Sequence, residues 1–338
     1  MLILAIETSC DDTSVALFEN DNLLFMDTAS QIKIHAKTGG VIPEIAAREH
    51  ANNIFKVLDK VLKNHYPNEE NLTIFKKINY IAVTTNPGLI PSLLTGITVA
   101  KTISKTLNIP LIEINHIEAH IFSNFIERKK EDITFPLTCL TVSGGHNEIY
   151  YMKNMYEFEK IGGTQDDSAG EAFDKVAKMM GLTYPGGPII SDLADQYINS
   201  HKEEKKSKNY NLFPRSWLDK EKLDFSFSGL KSSVKREIDK RIEKNGSLTD
   251  LDRQEISYEF QEATIEVLGT KLVNSSFKYK TKNIMLAGGV SANNRLKEFI
   301  KSLIINSDIN FIYPIKNIYS MDNAAMVGIN AYYKIQKN

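Results

Sequence analysis

The chain spells out one order of short apolar strands and amphipathic helices twice, and few folds accommodate that duplication. Leu2–Thr8, Thr13–Glu19 and Leu23–Ala29 are apolar or β-branched runs separated by polar turns, which predicts a meander of three strands. Pro43 stands near the start of a predicted helix whose Ile54, Val57, Leu58, Val61 and Leu62 share one face. A strand over Ile78–Thr85, a helix over Ser92–Leu107, a strand over Leu111–Ile114 and a helix over His116–Ile126 complete a βββαβαβα order. After the charged stretch Glu127–Asp132 the order restarts, with strands expected at Leu137–Val142, Glu148–Met152 and Phe158–Ile161. Helices at Ala169–Met180 and Ile189–Asn199 and a helical region over Leu230–Lys280 come next. Strand Asn283–Ala287, helix Ala292–Ile304, strand Asn310–Ile312 and helix Asp322–Ile335 close the pattern. Such alternation implies an α/β protein with largely parallel sheets covered by helices. Two copies of the plan imply two similar lobes, residues 1–130 and 131–338, around a ligand-binding cleft. The second lobe carries a helical insert at about 201–280.

Charge is uninformative over the whole chain and informative locally. Lys and Arg number 41 against 42 Asp and Glu, a net of −1, so neither a polyanion nor a membrane surface is advertised. Residues 201–244 hold 13 Lys/Arg against 8 Asp/Glu, a net of +5, which leaves −6 for the remainder. That stretch reads either as a docking surface for a polyanion or as a solvated helix face with pairs such as Glu237 and Arg241. Cys10 and Cys139 are too few for a disulfide framework and are expected as reduced thiols. The first apolar run stops at Glu7, too short for a signal peptide. Ile78–Ala100 runs 23 residues without a charge, but Pro87, Gly88, Pro91 and Gly96 make it strand, turn and helix, not a membrane span. The expected location is the cytoplasm, with no membrane partner.

Several short motifs carry chemistry. Glu7-Thr8-Ser9-Cys10-Asp11-Asp12-Thr13 is a polar turn between two strands, and Val142-Ser143-Gly144-Gly145-His146 is its counterpart in the second copy. Turns of this kind aim backbone N–H groups at phosphate, and paired glycines let backbone approach a ligand and adopt positive φ. Ala287-Gly288-Gly289-Val290-Ser291 follows a strand and opens a helix with Ser291 as its expected N-cap, although it is not a G-x-G-x-x-G dinucleotide motif. Asp174 could accept ribose hydroxyls, Gly187 leaves room for close approach, and Glu171 with Lys175 reads as an i,i+4 ion pair. His116 and His120 stand one helical turn apart, the spacing for a shared metal. A zinc-protease motif would need its glutamate directly after the first histidine; Glu118 is two positions on, roughly 200° around the helix. Asp322, expected to open the last helix, supplies a third ligand, leaving open positions as an Fe(II) or Zn site requires.

Together these segments resemble the TsaD family, the bacterial tRNA N6-adenosine threonylcarbamoyltransferases, once labelled O-sialoglycoprotein endopeptidases. The resemblance runs through I-E-T-S-C-D-D, G-G-V-I-P-E-I-A-A-R-E-H, H-I-E-A-H, V-S-G-G-H, D-D-S-A-G-E-A-F-D-K, Y-P-G-G-P, D-F-S-F-S-G-L-K, G-G-V-S-A-N-N and M-D-N-A-A-M. It implies the actin-like ATPase (ASKHA) fold. It places metal ligands on His116, His120 and Asp322, with iron the usual metal and zinc the other option. It puts contacts to threonylcarbamoyl-AMP on Thr141, Val142, Ser143, Gly144, Gly145, Asp174, Gly187 and Asn293, and a polar assistant on Asp11. The implied substrate is tRNA, and the implied partners are an ASKHA subunit lacking the active site (TsaB), a small ATPase (TsaE) and a synthase for the adenylate. The TsaB-like partner is expected on an exposed apolar helix face of the first lobe. The chain departs from the usual family pattern at Asn86 and Pro91 and at Ser320-Met321. A kinase or ATPase of the same fold and a metalloprotease built on the histidine pair are the competing functions.

Overall fold

The computed structural model describes residues 1–200, 211–218 and 222–337. The chain divides into two compact units, Met1–Ile133 with Tyr313–Asn338, and Thr134–Ile312. The division drawn from the sequence, 1–130 and 131–338, is therefore corrected at the C-terminus: the last segment returns to the first unit. Pattern alone assigns an element to the copy it follows, whereas this one is placed by the strands it packs on.

The first unit opens with β1 (Leu2–Glu7), β2 (Asp12–Glu19) and β3 (Asn22–Ser30), then the short α1 (Ile32–His35) and the long α2 (Pro43–His65). After α3 (Asn71–Phe75) come β4 (Tyr80–Asn86), α4 (Ile90–Leu107), β5 (Leu111–Asn115) and α5 (His116–Phe122). The strands form one sheet in the order β3-β2-β1-β4-β5. β1 is buried on both faces, which is why Leu2–Ile6 reads as a continuous apolar run and not an alternation. One face gives Leu4 and Ile6 to a core with Val15, Leu17, Ile81 and Val83, closed by Ile54, Val57, Leu58, Val61 and Leu62 of α2.

The second unit repeats the plan. β6 (Leu137–Val142), β7 (Asn147–Asn154), β8 (Glu157–Gly163), α6 (Ala169–Met179) and α7 (Gly186–Ser200) precede α8 (Ser228–Asn245) and α9 (Asp250–Tyr279). β9 (Asn283–Ala287), α10 (Asn294–Ile304) and β10 (Asn310–Ile312) complete the unit, and α11 (Ala324–Lys337) belongs to the first. The sheet order β10-β9-β6-β7-β8 is the first sheet's order read from the other edge.

Both sheets are mixed, which corrects the expectation of largely parallel ones. β1–β2, β2–β3, β6–β7 and β7–β8 pair antiparallel, and β1–β4, β4–β5, β6–β9 and β9–β10 pair parallel. Links of a few residues can only return a strand antiparallel; only the helix-bearing links are long enough for a parallel crossover. The helical region expected over Leu230–Lys280 consists of two helices, divided at Gly246, which ends α8 in the left-handed region at φ +79. Thr249 and Asp252 then cap α9 reciprocally. Among the described residues, no helix is long and apolar enough to cross a membrane.

Candidate active site

In the first unit, the end of β5 sets up a metal-binding geometry. Asn115 caps α5, its side-chain oxygen accepting from Ile117 N at 2.9 Å and Glu118 N at 3.1 Å. Its Nδ2 donates to Asn86 Oδ1 at 2.9 Å, so Asn86 steadies the start of this helix. His116 and His120 follow on one face, both buried, with ring centroids 4.6 Å apart. Asp322 does not open α11 as expected but sits two residues ahead of it. Asn323 takes the cap, accepting from Met326 N at 3.0 Å, while Ala324 N donates to Ser14 Oγ at 2.9 Å. These bonds hold Asp322 facing the imidazoles: its Oδ1 is 3.1 Å from His120 Nε2 and 3.6 Å from His116 Nε2.

These three side chains can hold a metal ion, each offering one ligand atom within 4.8 Å of the others. Ligands about 2.1 Å from one ion, at tetrahedral or octahedral angles, stand about 3.0–3.4 Å apart, close to the separations seen. Both ring nitrogens of His120 are buried, and neither makes a hydrogen bond of good geometry, which leaves the ring suited to an ion. Two imidazoles and one carboxylate, with no thiolate, fit iron(II) or zinc. Burial pushes His116 down, but the carboxylates of Asp322 and Glu7 outweigh it and raise its pKa to about 9. Burial and the neighbouring His116 hold His120 below the usual imidazole value.

Glu7 is the residue that sequence reasoning missed. It served there only to end an apolar run, yet it is fully buried at the tip of β1 with Oε2 3.3 Å from His116 Nδ1. The available signal was its position: an acid closing a strand whose other residues are all core. Asp11 lies in the next turn, mostly buried, with its carbonyl accepting from Gln31 N at 3.1 Å. His50 of α2 braces that turn, Nδ1 2.8 Å from Thr13 Oγ1 and Nε2 2.9 Å from the Cys10 carbonyl. Burial raises Asp12 to about 7, with the negative charges of Asp11, Asp322 and Glu7 adding to it. Burial also keeps the Cys10 thiol protonated, and both cysteines are free. Glu118 turns towards Lys334, 3.5 Å away, as the helical angle requires. A protease built on this pair therefore has no base at Glu118.

The second unit carries the remaining candidates. Thr141 and Val142 end β6, and Ser143-Gly144-Gly145-His146 turns into β7 with Ser143 N donating to His146 O at 2.8 Å. Gly144 and Gly145 do not adopt positive φ, contrary to expectation, but a Cβ on either would meet nothing within 4 Å. The pair keeps space open without relieving strain. Ser168 caps α6 and donates Oγ to Gly144 O at 2.7 Å, pinning the turn. Gly288 does need glycine: its φ is +85, and a Cβ would stand 2.4 Å from Val142 O. Asp174 Oδ1 accepts from Gly186 N at 2.7 Å, and Gly187 faces open space. Ser291 is buried inside a 3-10 turn and Asn293 is the actual cap of α10, accepting from Leu296 N at 2.9 Å. Asn293 Nδ2 donates to Ser191 Oγ and Gln261 Oε1, each at 2.9 Å, so its amide is engaged inside the protein. Lys175 pairs with Glu171 at 2.9 Å and with Asp167 at 2.7 Å.

The D-F-S-F-S-G-L-K segment staples to this region: Gly163 N donates to Asp224 Oδ1 at 3.1 Å and Phe227 N to Asp166 Oδ1 at 2.8 Å, while Lys231 pairs with Asp167. Helix α8 shows the paired face that was one of the two options, with Arg241 Nε 2.8 Å from Glu237 Oε1. Residues 201–210 and 219–221 of the basic stretch lie outside the described residues.

A family profile described as TsaD, tRNA N6-adenosine threonylcarbamoyltransferase, matches residues 22–329. A Persephonella marina protein named tRNA N6-adenosine threonylcarbamoyltransferase is 43% identical over 342 residues, covering 100% of this chain and 91% of that one. A Staphylococcus haemolyticus protein of the same name is 43% identical over 336 residues, covering 99% and 92%. Among solved structures, component A of (R)-2-hydroxyglutaryl-CoA dehydratase from Acidaminococcus fermentans matches with a TM-score of 0.55 at 11% identity, covering 99% of both chains. At that identity the likeness is one of fold, the actin-like ATPase fold.

Proposed function

The chain belongs to the TsaD family, and from that membership we propose that it transfers a threonylcarbamoyl group from threonylcarbamoyl-AMP to the N6 amine of the adenosine beside the anticodon, in tRNAs reading codons that begin with adenine. The amine nitrogen attacks the carbamoyl carbon, forming a C–N bond. The bond from that carbon to the phosphate oxygen breaks, AMP leaves with the electron pair, and the amine gives up one proton. An adenylate is already activated, so the protein's work is positioning and charge stabilisation.

The turns at Thr141–Gly145 and Gly187 hold the AMP portion, backbone against phosphate and ribose, in the space their glycines leave open. Asp174, whose Oδ1 accepts from Gly186 N, is the residue assigned to the ribose hydroxyls. Asn293 serves the nucleotide by fixing the start of α10 rather than through a spare amide group. Asp11 takes the proton of the attacking amine. His116, His120 and Asp322 hold iron(II), or zinc in its place, and the ion when bound polarises oxygens of the donor. That group is the observation favouring a transferase over a kinase or ATPase of the same fold, since a kinase does not need a His–His–Asp site.

Phe55 and Leu94 stand exposed beside a groove of about 340 Å³ between α2 and α4, also lined by Ile54 and Val99. We place there the TsaB-like ASKHA subunit, with a TsaE-like ATPase and an adenylate-forming synthase as further partners in the cytoplasm. The test is mass spectrometry of tRNA nucleosides after depletion of the protein in its source cell. Threonylcarbamoyladenosine should fall; an unchanged level would sink the transferase assignment.

A further inference from the structure

We propose that Glu7 is a positioning residue of the metal centre: it holds the ring of His116 by Nδ1 so that Nε2 faces His120 and Asp322. The proposal rests on the assignment of His116, His120 and Asp322 as metal ligands, and it concerns a residue that does not itself face the ion.

The geometry is specific. Glu7 is the last residue of β1, in register with Ser14 of β2 and directly after Ile6, where the pairing of β1 with β4 ends. Its two carboxylate oxygens are divided between tasks. Oε1 accepts from Ser9 N at 2.5 Å, and Oε2 accepts from Thr84 Oγ1 and lies 3.3 Å from His116 Nδ1. Ser9 Oγ is also 3.1 Å from Nδ1, so that nitrogen is enclosed by the end of β1. With the proton on Nδ1 and directed at the carboxylate, the lone pair is left on Nε2, the nitrogen 3.6 Å from Asp322 Oδ1. The same strand pair also places the third ligand, because Ser14 Oγ accepts from Ala324 N just beyond Asp322. Two ligands from distant parts of the sequence are thereby referred to one rigid sheet end.

A structural explanation for Glu7 is weak on physical grounds. The side chain is fully buried, and taking a carboxylate out of water costs more than a buried glutamine or an apolar residue at a strand end. A glutamine could serve both neighbours, its oxygen accepting from Ser9 N and its NH2 donating to the Thr84 hydroxyl. Only the imidazole gains from a full negative charge on the acceptor, because that charge makes the nitrogen facing the ion a stronger donor.

The experiment is titration of the metal-free protein with cobalt(II) at one fixed pH, read by visible absorption and by competition with a chelator, for wild type, Glu7→Gln, Glu7→Ala and Ser9→Ala. Thermal melting of each metal-free protein reports folding. Glu7→Ala should weaken cobalt binding about 10–100-fold and change the absorption band, with Glu7→Gln intermediate at an unchanged metal-free Tm. Ser9→Ala, which keeps the carboxylate, should lose less than Glu7→Gln. If Glu7→Ala does not fold, the order of Glu7→Gln and Ser9→Ala decides. Wild-type affinity and spectrum in folded Glu7→Gln, or a larger loss in Ser9→Ala, would overturn the role of Glu7 alone. A wild-type chain that takes up no cobalt would overturn the metal assignment and this proposal with it. No tRNA or donor is present, so failure of the transferase assignment would leave the result untouched.

Discussion

Single residues divide into those that hold a ligand and those that keep space for one, and substitutions tell them apart. His116→Ala, His120→Ala and Asp322→Ala should each lose most bound metal, because each removes one of three protein ligands; elemental analysis reads this directly. Glu118→Gln should keep its metal and most transfer activity, since that carboxylate faces Lys334. Full metal occupancy in Asp322→Ala would break the constellation. The glycines behave differently from one another. Gly144→Val adds its side chain where nothing stands within 4 Å and at an ordinary φ, so Tm should hold while adenylate binding, measured by calorimetry, is abolished. Gly288→Ala meets Val142 O at 2.4 Å in a left-handed conformation, and should cost about 1–3 kcal/mol in denaturant unfolding before any ligand is considered. The sequence made the group of His116, His120 and Asp322 legible, because a histidine pair at helical spacing and a lone aspartate are chemical signals. It hid Glu7, because nothing local says that a glutamate ending a strand will meet a histidine 109 positions away. The glycine motifs also looked alike in sequence; only packing separates Gly144, which faces space, from Gly288, which faces a carbonyl.

At the level of elements, hydrophobic periodicity carried most of the fold. β6, β9 and β10 fall where apolar runs placed them, and the face of α2 with Ile54, Val57, Leu58, Val61 and Leu62 is the one buried. Boundaries were less legible where a cap competed with a motif. Ser291 looked like the cap of α10 because it follows two glycines, but the chain first makes a 3-10 turn and Asn293 takes that place. The split between α8 and α9 was written in Gly246 and in the Thr249–Asp252 box, signals outweighed by the strong helical pattern on both sides. The role of Asn293 can be tested as an element-scale property. Asn293→Ala removes the N-cap and the amide donor to Ser191 Oγ and Gln261 Oε1, so it should destabilise the second unit by about 1–2 kcal/mol. Asn293→Asp restores the cap acceptor and should recover part of that stability. Adenylate affinity should follow stability across these variants; weakened binding at unchanged stability would show direct contact instead.

For the whole molecule, the open physical question is where a nearly neutral chain meets a polyanion. The order of elements along the chain and the twofold repeat were legible because each copy must solve the same burial problem; the return of α11 to the first unit was not, since it depends on packing against strands some 300 residues earlier. Charge is subtler, because an ion already paired inside the protein releases few counterions from a nucleic acid. Most cations on and around α8 are paired: Lys231 with Asp167, Lys235 with Asp239, and Arg241 with Glu237, Asp252 and Glu255. Arg215 is bidentate to Glu266, whereas Arg236 has no such partner among the described residues. Lys202, Lys205, Lys206 and Lys208 are the densest run of lysines that the sequence offers in this stretch. Changing those four lysines to glutamine should flatten the salt dependence of tRNA binding by about 0.7–0.9 in log–log slope for each phosphate no longer neutralised. Lys235→Gln, which only breaks an exposed pair, should leave the slope as it was. Lys231→Gln should lower stability by loosening the D-F-S-F-S-G-L-K staple, with a much smaller effect on the slope. Filter-binding isotherms at several salt concentrations measure all three, and an unchanged slope in the four-lysine variant would move the tRNA interface off this stretch altogether.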